Sequence, residues 1–232
     1  MVTITTWFAL GAAGMALGTL VLAVGARAVP EEHRARYSIL VAVPLIAVVA
    51  YALMVLGVGS LRTETGATLY ALRYVDWLLT TPLHVLYLGL LAGAAMGVIY
   101  RALGLMAATI VFGFAGAMLA PPLKWPLFLA GAATFAGVVY YTVRDFEAAA
   151  AEGDATMAAV FRKLRAFLVV LWVIYPVIWL VAPVGFDLTN TTTATLVTAY
   201  IDVVAKVGFG LIALSGQLTS TAAATESASP AD

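Results

Sequence analysis

The stretch TTTATLVTAYIDVVAKVGFGLIALSGQ, residues 191–217, is long enough to cross a bilayer as a helix, and it carries two charges near its middle, Asp202 and Lys206. Because each residue turns a helix by about 100°, side chains at i and i+4 share one face, and charges at membrane depth face away from lipid. A lysine in such a place is pushed toward its neutral amine, the form that condenses with an aldehyde to a Schiff base. The alternative is a structural ion pair that only fixes helix packing.

The composition excludes most other classes of protein. Of the 232 residues, 63% are hydrophobic and 10% are charged, whereas a soluble domain has about 25% charged residues. The mean hydropathy of +1.03 therefore predicts an integral membrane protein in contact with the lipid bilayer. A net charge of zero gives no indication of nucleic-acid binding. Cysteine is absent and there are two histidines, so we expect no metal site.

Hydrophobic runs separated by Gly, Pro and charge predict seven membrane-spanning helices, at residues 4–26, 37–57, 68–92, 96–119, 123–143, 159–182 and 191–217. The fold class is therefore an all-α membrane protein, a seven-helix bundle. Longer polar connections are expected at residues 58–67 and 144–155. Residues 1–217 form the predicted domain, and the tail at residues 218–232, LTSTAAATESASPAD, is predicted to be disordered.

The distribution of basic residues predicts the orientation of the chain in the membrane. Most lie on one side of the predicted spans: Arg27, Arg34, Arg36, Arg101, Arg144, Arg162, Lys163 and Arg165. Arg62 and Lys124 lie on the other side. By the positive-inside rule, the N-terminus is expected outside the cell and the C-terminus in the cytoplasm.

The third span carries three further ionisable side chains near membrane depth, Arg73, Asp76 and His84. Asp76, Thr80 and His84 follow one another at i, i+4 and i+8, so one helix face carries them. A protonated Schiff base on Lys206 together with Arg73 would be balanced by Asp76 and Asp202, and such a neutral cluster makes buried charge tolerable. His84 is either a packed core histidine or a functional group.

Aromatic side chains form a second feature. The sixth span carries Trp172, Tyr175, Pro176 and Trp179, and the third carries Trp77. Such a stripe is more often plain helix packing than a cofactor site. Facing a buried lysine, however, flat rings would form a slot for a flat, conjugated, apolar ligand.

Three motifs in order, RYVDWLLTTPL at residues 73–83, LWVIYPVIWL at 171–180 and YIDVVAKVGFG at 200–210, resemble the third, sixth and seventh helices of the archaeal microbial rhodopsins. The resemblance covers the chain except its tail and implies a membrane protein without enzymatic activity. It implies all-trans retinal on Lys206, with Arg73 on the outer side of the counterions Asp76 and Asp202. Light would isomerise the retinal, and the Schiff base proton would move to Asp76. The implied retinal pocket contains Trp77, Thr80, Thr81, His84, Thr109, Gly113, Gly131, Phe135, Trp172, Tyr175, Pro176, Trp179 and Ala205.

Residues at a few single positions indicate which branch of the family the chain resembles. Proton pumps of this family carry a carboxylate where this chain has Tyr87, and release glutamates where it has Val184 and Ala194. Chloride pumps replace the aspartate that is present here as Asp76. The chain resembles the sensory rhodopsin II branch better, in FAGAM at residues 114–118 and VYY at 139–141. We therefore predict a photoreceptor in the cell membrane that signals to a transmembrane transducer, with Tyr200 as a transducer contact. The alternative is a slow light-driven outward proton pump.

Two positions depart from a standard sensor. Ala205 stands where sensory rhodopsin II has a threonine that bonds the tyrosine matching Tyr175, a contact tied in that family to signalling. His84 stands where most relatives have an aliphatic residue. In both respects the chain resembles the middle rhodopsin group, described as lying between sensors and pumps. A homo-oligomer is a further expected assembly.

Overall fold

The structure, a computed structural model, describes residues 3–228, with side chains up to residue 218. Seven helices in this part of the chain are long and apolar enough to span a membrane, as predicted. They are α1 (Ile4–Gly25, extended by a 3-10 turn at Ala26–Ala28), α2 (Glu31–Val55), α3 (Ala71–Ala92), α4 (Met96–Met118), α5 (Lys124–Ala151), α6 (Ala155–Val181) and α7 (Thr191–Leu218). Two of them contain a widened π-helical turn, α5 at Tyr141–Asp145 and α7 at Val204–Gly208.

The helices form a closed bundle. Each helix packs against the next one along the chain, and α7 returns to α1. Helix α3 also packs across the bundle against α6. Large apolar side chains on the outer surface, such as Leu17 and Val170, are exposed, as expected of residues that face lipid. The site residues of α3, α6 and α7 consequently face one interior.

Local sequence explains where several helices begin and end. Asp154 and Asn190 precede α6 and α7, and each side chain accepts a hydrogen bond from a backbone N–H in the first turn. Such caps satisfy donors that a helix start leaves free. Helix α3 ends at Gly93, whose φ of 71° is a conformation that glycine adopts without strain.

A short antiparallel ribbon follows α2. Strands β1 (Ser60–Arg62) and β2 (Thr68–Tyr70) pair with Leu61 opposite Leu69, and β2 leads directly into α3. Leu69 is buried and lines the interior cavity. The ribbon therefore covers the end of the bundle that carries Arg73.

Helix α1 approaches α7 through glycines. A Cβ added at Gly14 would lie 3.2 Å from a methyl group of Val203, and one added at Gly18 would overlap the side chain of Val207. Small residues permit such close contact between membrane helices. Val203 and Val207 flank Lys206, so this contact supports the segment that carries the lysine.

The spans predicted from hydropathy were too short at several ends. Helix α2 begins at Glu31 rather than at residue 37. Helix α5 ends at Ala151 rather than at residue 143, and α6 begins at Ala155 rather than at residue 159. The predicted connection at residues 144–155 is therefore mostly helical. Hydropathy marks the segment that lipid can surround, whereas helices continue past it with charged residues. At this end Arg162 and Arg165 of α6 both pair with Glu147 of α5.

The final helix extends beyond Leu218, with helical backbone to Ala228. This stretch overlaps the tail that the composition predicts to be disordered. The boundary of the domain at residue 217 stays a prediction. Residues 229–232, the end of that predicted tail, lie outside the described residues.

Candidate functional site

The centre of the bundle contains a buried cluster of one lysine and two carboxylates. Lys206 Nζ donates to Asp76 Oδ2 at 2.5 Å and lies 3.6 Å from Asp202 Oδ1. The lysine side chain is 3% exposed and both carboxylates are 0% exposed. The sequence predicted that these three residues meet, and the structure brings them together across α3 and α7.

Local structure places both sides of this contact. Asp76, Thr80 and His84 are all buried on one face of α3, as their spacing predicts. The Thr80 hydroxyl donates to the backbone carbonyl of Asp76 at 2.8 Å, so it lies one turn from that residue on the same helix face. Lys206 lies in the π-helical turn of α7, a feature often found at functional sites.

Asp202 is held by three neutral donors from three helices. It accepts from the Tyr51 hydroxyl of α2 at 2.5 Å, the Tyr175 hydroxyl of α6 at 2.6 Å and the Trp77 indole of α3 at 3.0 Å. Hydrogen bonds of this kind stabilise an ionised carboxylate. Asp202 is therefore suited to remain a fixed negative charge.

Asp76 has a different environment. Its Oδ2 faces Lys206, but its Oδ1 is buried without a hydrogen-bond partner among the described residues. An oxygen that accepts no hydrogen bond is available to a proton or a water molecule. The two carboxylates are therefore chemically unequal, and Asp76 is the one suited to accept a proton.

Arg73 completes the charged group without a direct ion pair. Within the described part of the chain no carboxylate lies in ion-pair distance of its guanidinium, and its Nε and Nη2 are buried without a hydrogen-bond partner. The guanidinium lies 5.6 Å from the centre of the Phe8 ring. The two basic and two acidic side chains of the expected balance are thus near one another, but Arg73 makes no direct ion pair with the carboxylates among the described residues.

An apolar cavity extends from Lys206 between α3, α4, α5 and α6. Its walls include the rings of Trp77, Trp172 and Trp179. Trp179 donates to the Gly113 carbonyl at 3.1 Å and stacks on Phe128 at 4.8 Å between ring centres, which fixes one wall. A Cβ added at Gly113 would meet no atom within 4 Å, so the cavity is open beside this glycine. Its shape and lining suit a flat apolar molecule.

Most residues predicted for the pocket line this cavity: Trp77, Thr81, His84, Thr109, Gly113, Gly131, Phe135, Trp172, Tyr175, Pro176, Trp179 and Ala205. Thr80 is not among the residues that line the cavity, and its hydroxyl bonds to the backbone carbonyl of Asp76. Tyr200 lies on the outer surface of α7, where it is 69% exposed.

Tyr51 is a site residue that the sequence analysis missed. Its ring is fully buried and its hydroxyl reaches Asp202 across the bundle. A Cβ on Gly11 would lie 2.5 Å from this ring, so glycine makes room for it. A tyrosine at membrane depth was the available signal, but spacing along α2 gives no information about a partner on α7.

The sequence matches known proteins along nearly its whole length. The sequence profile described as bacteriorhodopsin-like protein matches residues 2–220. A sensory rhodopsin-2 of Haloarcula vallismortis is 54% identical over 92% of this chain and 91% of its own length. A sensory rhodopsin-2 of Natronomonas pharaonis is 41% identical over 100% of this chain and 97% of its own.

Solved structures agree with the sequence comparison. The crystal structure of a thermophilic rhodopsin from Rubrobacter xylanophilus superimposes with a TM-score of 0.90 at 33% identity. The match covers 95% of this chain and 100% of that one. With seven apolar helices and these relatives, this is a multi-pass membrane protein, and the chain belongs to the bacteriorhodopsin-like family.

Proposed function

We propose that the chain is a light-sensing membrane photoreceptor that carries all-trans retinal covalently on Lys206. One observation carries the proposal, namely the contact between Lys206 and Asp76 beside an aromatic, apolar cavity. Relatives named as sensory rhodopsins support the photoreceptor over a pump.

The residues fit this cofactor. A lysine amine supplies the nucleophile for an imine bond to an aldehyde, and the Trp172 and Trp179 rings form flat apolar walls. The open space beside Gly113 leaves room for a ligand between them. Retinal, when bound, supplies the absorption of visible light and the isomerisation that follows it.

The charged residues would control the proton on the Lys206 nitrogen. Asp76 balances the positive charge of that nitrogen at 2.5 Å in the dark and accepts its proton after light absorption. Asp202, stabilised by three donors, stays negative throughout. Arg73 adds a positive charge on the far side of the carboxylates, so that the interior remains near neutral in either state.

In this proposal, the protein signals to its partner through contacts at the lipid-facing surface of α7. Tyr200 is 69% exposed there, beside the partly exposed Leu196 and Val197. We assign this surface to a transmembrane transducer, with a second copy of the chain as the competing partner. The distribution of basic residues supports an N-terminus outside the cell. Ala205 and His84 support a position near the middle rhodopsins within this function.

Replacement of Lys206 tests the covalent assignment. Lys206→Ala protein supplied with all-trans retinal should show no visible absorption band, whereas Lys163→Ala, a change of an exposed lysine, should keep it. Borohydride reduction of the coloured protein, followed by peptide mass spectrometry, should place the added mass on Lys206. Added mass on another residue, or normal colour in Lys206→Ala, contradicts the proposal.

A further inference from the structure

His84 is a buried imidazole that the proposed function does not use. It is 2% exposed and lines the same cavity as Lys206. Both of its ring nitrogens are buried without a hydrogen-bond partner among the described residues. A buried polar group without a partner destabilises the fold, so a histidine used only for packing would be unfavourable here.

The neighbours of His84 hold its ring without using its nitrogens. Phe209 of α7 lies edge-on at 4.8 Å between ring centres, and Trp172 of α6 lies at 6.3 Å. Both contacts involve ring faces and edges, which fix the orientation of the imidazole. The nitrogens remain available to a water molecule or to a proton.

His84 also lies in a part of α3 that lacks acid groups. Beyond Asp76, toward Ala92, α3 has no carboxylate, and Tyr87 follows His84 at i+3. Asp76 itself lies on the other side of His84 along the helix axis, two turns earlier. A proton that reaches Lys206 from the Ala92 end would therefore find an imidazole on its way, and no acidic side chain of α3.

We propose that His84 is a proton-transfer residue that returns a proton to the Lys206 nitrogen after Asp76 has taken one. This inference rests on the proposed function. One ring nitrogen gives up its hydrogen toward Lys206, through a bridging water, as the other ring nitrogen accepts a proton from a water on the Tyr87 side, and that water regains a proton from the aqueous phase. The imidazole stays neutral and ends as the other tautomer, so protons and charge balance.

The same neighbours predict that this return is slow. The Phe209 ring packs against His84 at 4.8 Å and against Tyr87 at 5.5 Å between ring centres, so one apolar side chain lies against both polar groups. An apolar ring beside both groups leaves less room for water to connect them. A slow return prolongs the state after light absorption, which suits a sensor more than a pump.

The test compares substitutions at the two histidines of the chain, using the coloured protein. His84→Leu should slow the return of the proton to Lys206 by roughly 10²-fold, the usual scale of general acid–base catalysis, measured by flash photolysis. His84→Gln, which can hold water but cannot pass a proton through its side chain, should be about as slow. His33→Gln, at the start of α2, should match the wild type.

A small permeant acid distinguishes proton transfer from packing. Added azide should restore a fast return in His84→Leu, because it supplies the proton by another route, whereas a packing defect would not respond. Isotope labelling gives a readout other than kinetics. In His33→Gln protein labelled with nitrogen-15 histidine, every histidine signal comes from His84, and infrared difference spectra should show a change of tautomer during proton return.

Three results would overturn the inference. They are an unchanged rate in His84→Leu, a slow His84→Leu protein that does not respond to azide, and a His84 signal that stays constant through the cycle. Failure of the proposed function would look different, because no visible band would form with retinal even in the wild type.

Discussion

Asp76 and Asp202 contact the same lysine, yet their hydrogen-bond environments differ. Asp202 accepts three hydrogen bonds from neutral side chains, whereas Asp76 accepts one from Lys206 and has a second oxygen without a partner among the described residues. At the scale of single residues, the proposal of Asp76 as proton acceptor thus rests on hydrogen-bond number and not on distance alone.

Asp76→Asn should shift the visible absorption band to the red. The ionised carboxylate holds positive charge at the Lys206 nitrogen, and its removal lowers the energy needed to move that charge on excitation. Acid titration of the wild type should produce the same shift as Asp76 becomes protonated. Asp187→Asn, outside the spans, is the control and should leave the band in place. A spectrum that stays constant while infrared spectroscopy shows Asp76 protonating would refute this assignment.

Tyr51→Phe should destabilise the protein more than Tyr37→Phe. Both tyrosines are buried on α2, but the Tyr51 hydroxyl donates to a carboxylate at 2.5 Å, whereas Tyr37 donates to the Leu22 carbonyl at 3.3 Å. Hydrogen bonds to charged groups contribute about 1.5–3 kcal/mol and neutral ones about 0.5–1.5 kcal/mol. Thermal loss of the visible band in detergent gives the comparison. Equal loss of stability in the two variants would argue against a charged partner.

At the scale of elements, the position of Lys206 depends on how closely α1 packs against α7. Glycines on α1 face Val203 and Val207, which lie three residues before and one residue after the lysine. The π-helical turn at Val204–Gly208 is therefore enclosed by a neighbouring helix that has no side chain at the contact.

Gly18→Ala should lower thermal stability by about 1–3 kcal/mol, because the added methyl group overlaps Val207 and overpacking of a core costs this much. Gly104→Ala is the matched control, since a Cβ there would meet no atom within 4 Å. Its stability should equal or exceed that of the wild type. Thermal melts of the coloured proteins give both values, and a Gly18→Ala protein as stable as Gly104→Ala would contradict the close contact.

At the scale of the whole molecule, the ionisable groups of α3 are unevenly distributed. Arg73 and Asp76 lie in its first half, and His84 is the sole ionisable group of the second half apart from Tyr87. An efficient pump must take up a proton from one side as it releases one on the other. This arrangement favours release or storage of a proton over rapid uptake.

Cells that express the chain alone should therefore show little sustained acidification of the medium in the light. Tyr87→Asp adds a carboxylate on the side of proton uptake, so it should speed proton return to Lys206 and increase the light-driven acidification. Lys206→Ala should give no light response and serves as the blank. Sustained acidification by the wild type at the level of Tyr87→Asp would favour the slow outward pump.

The sequence by itself determined the membrane class, the seven helices and the residues of the central cluster. These features depend on hydrophobic length and on the helical period, both of which act within one segment of chain. The pairing of Asp202 with Lys206 at i and i+4, and the shared face of Asp76 and His84, follow from that period alone. Helix ends were less well predicted, because charged residues extend helices beyond the hydrophobic run.

Only the tertiary structure decided which residues of the cluster contact one another. It showed that Tyr51 donates to Asp202, that Lys206 donates its hydrogen bond to Asp76 and not to Asp202, and that Arg73 makes no direct ion pair within the described chain. It also showed which rings hold His84. The physical reason is that contacts between helices depend on how each helix is rotated and at what depth it packs, and spacing along one helix carries no information about either.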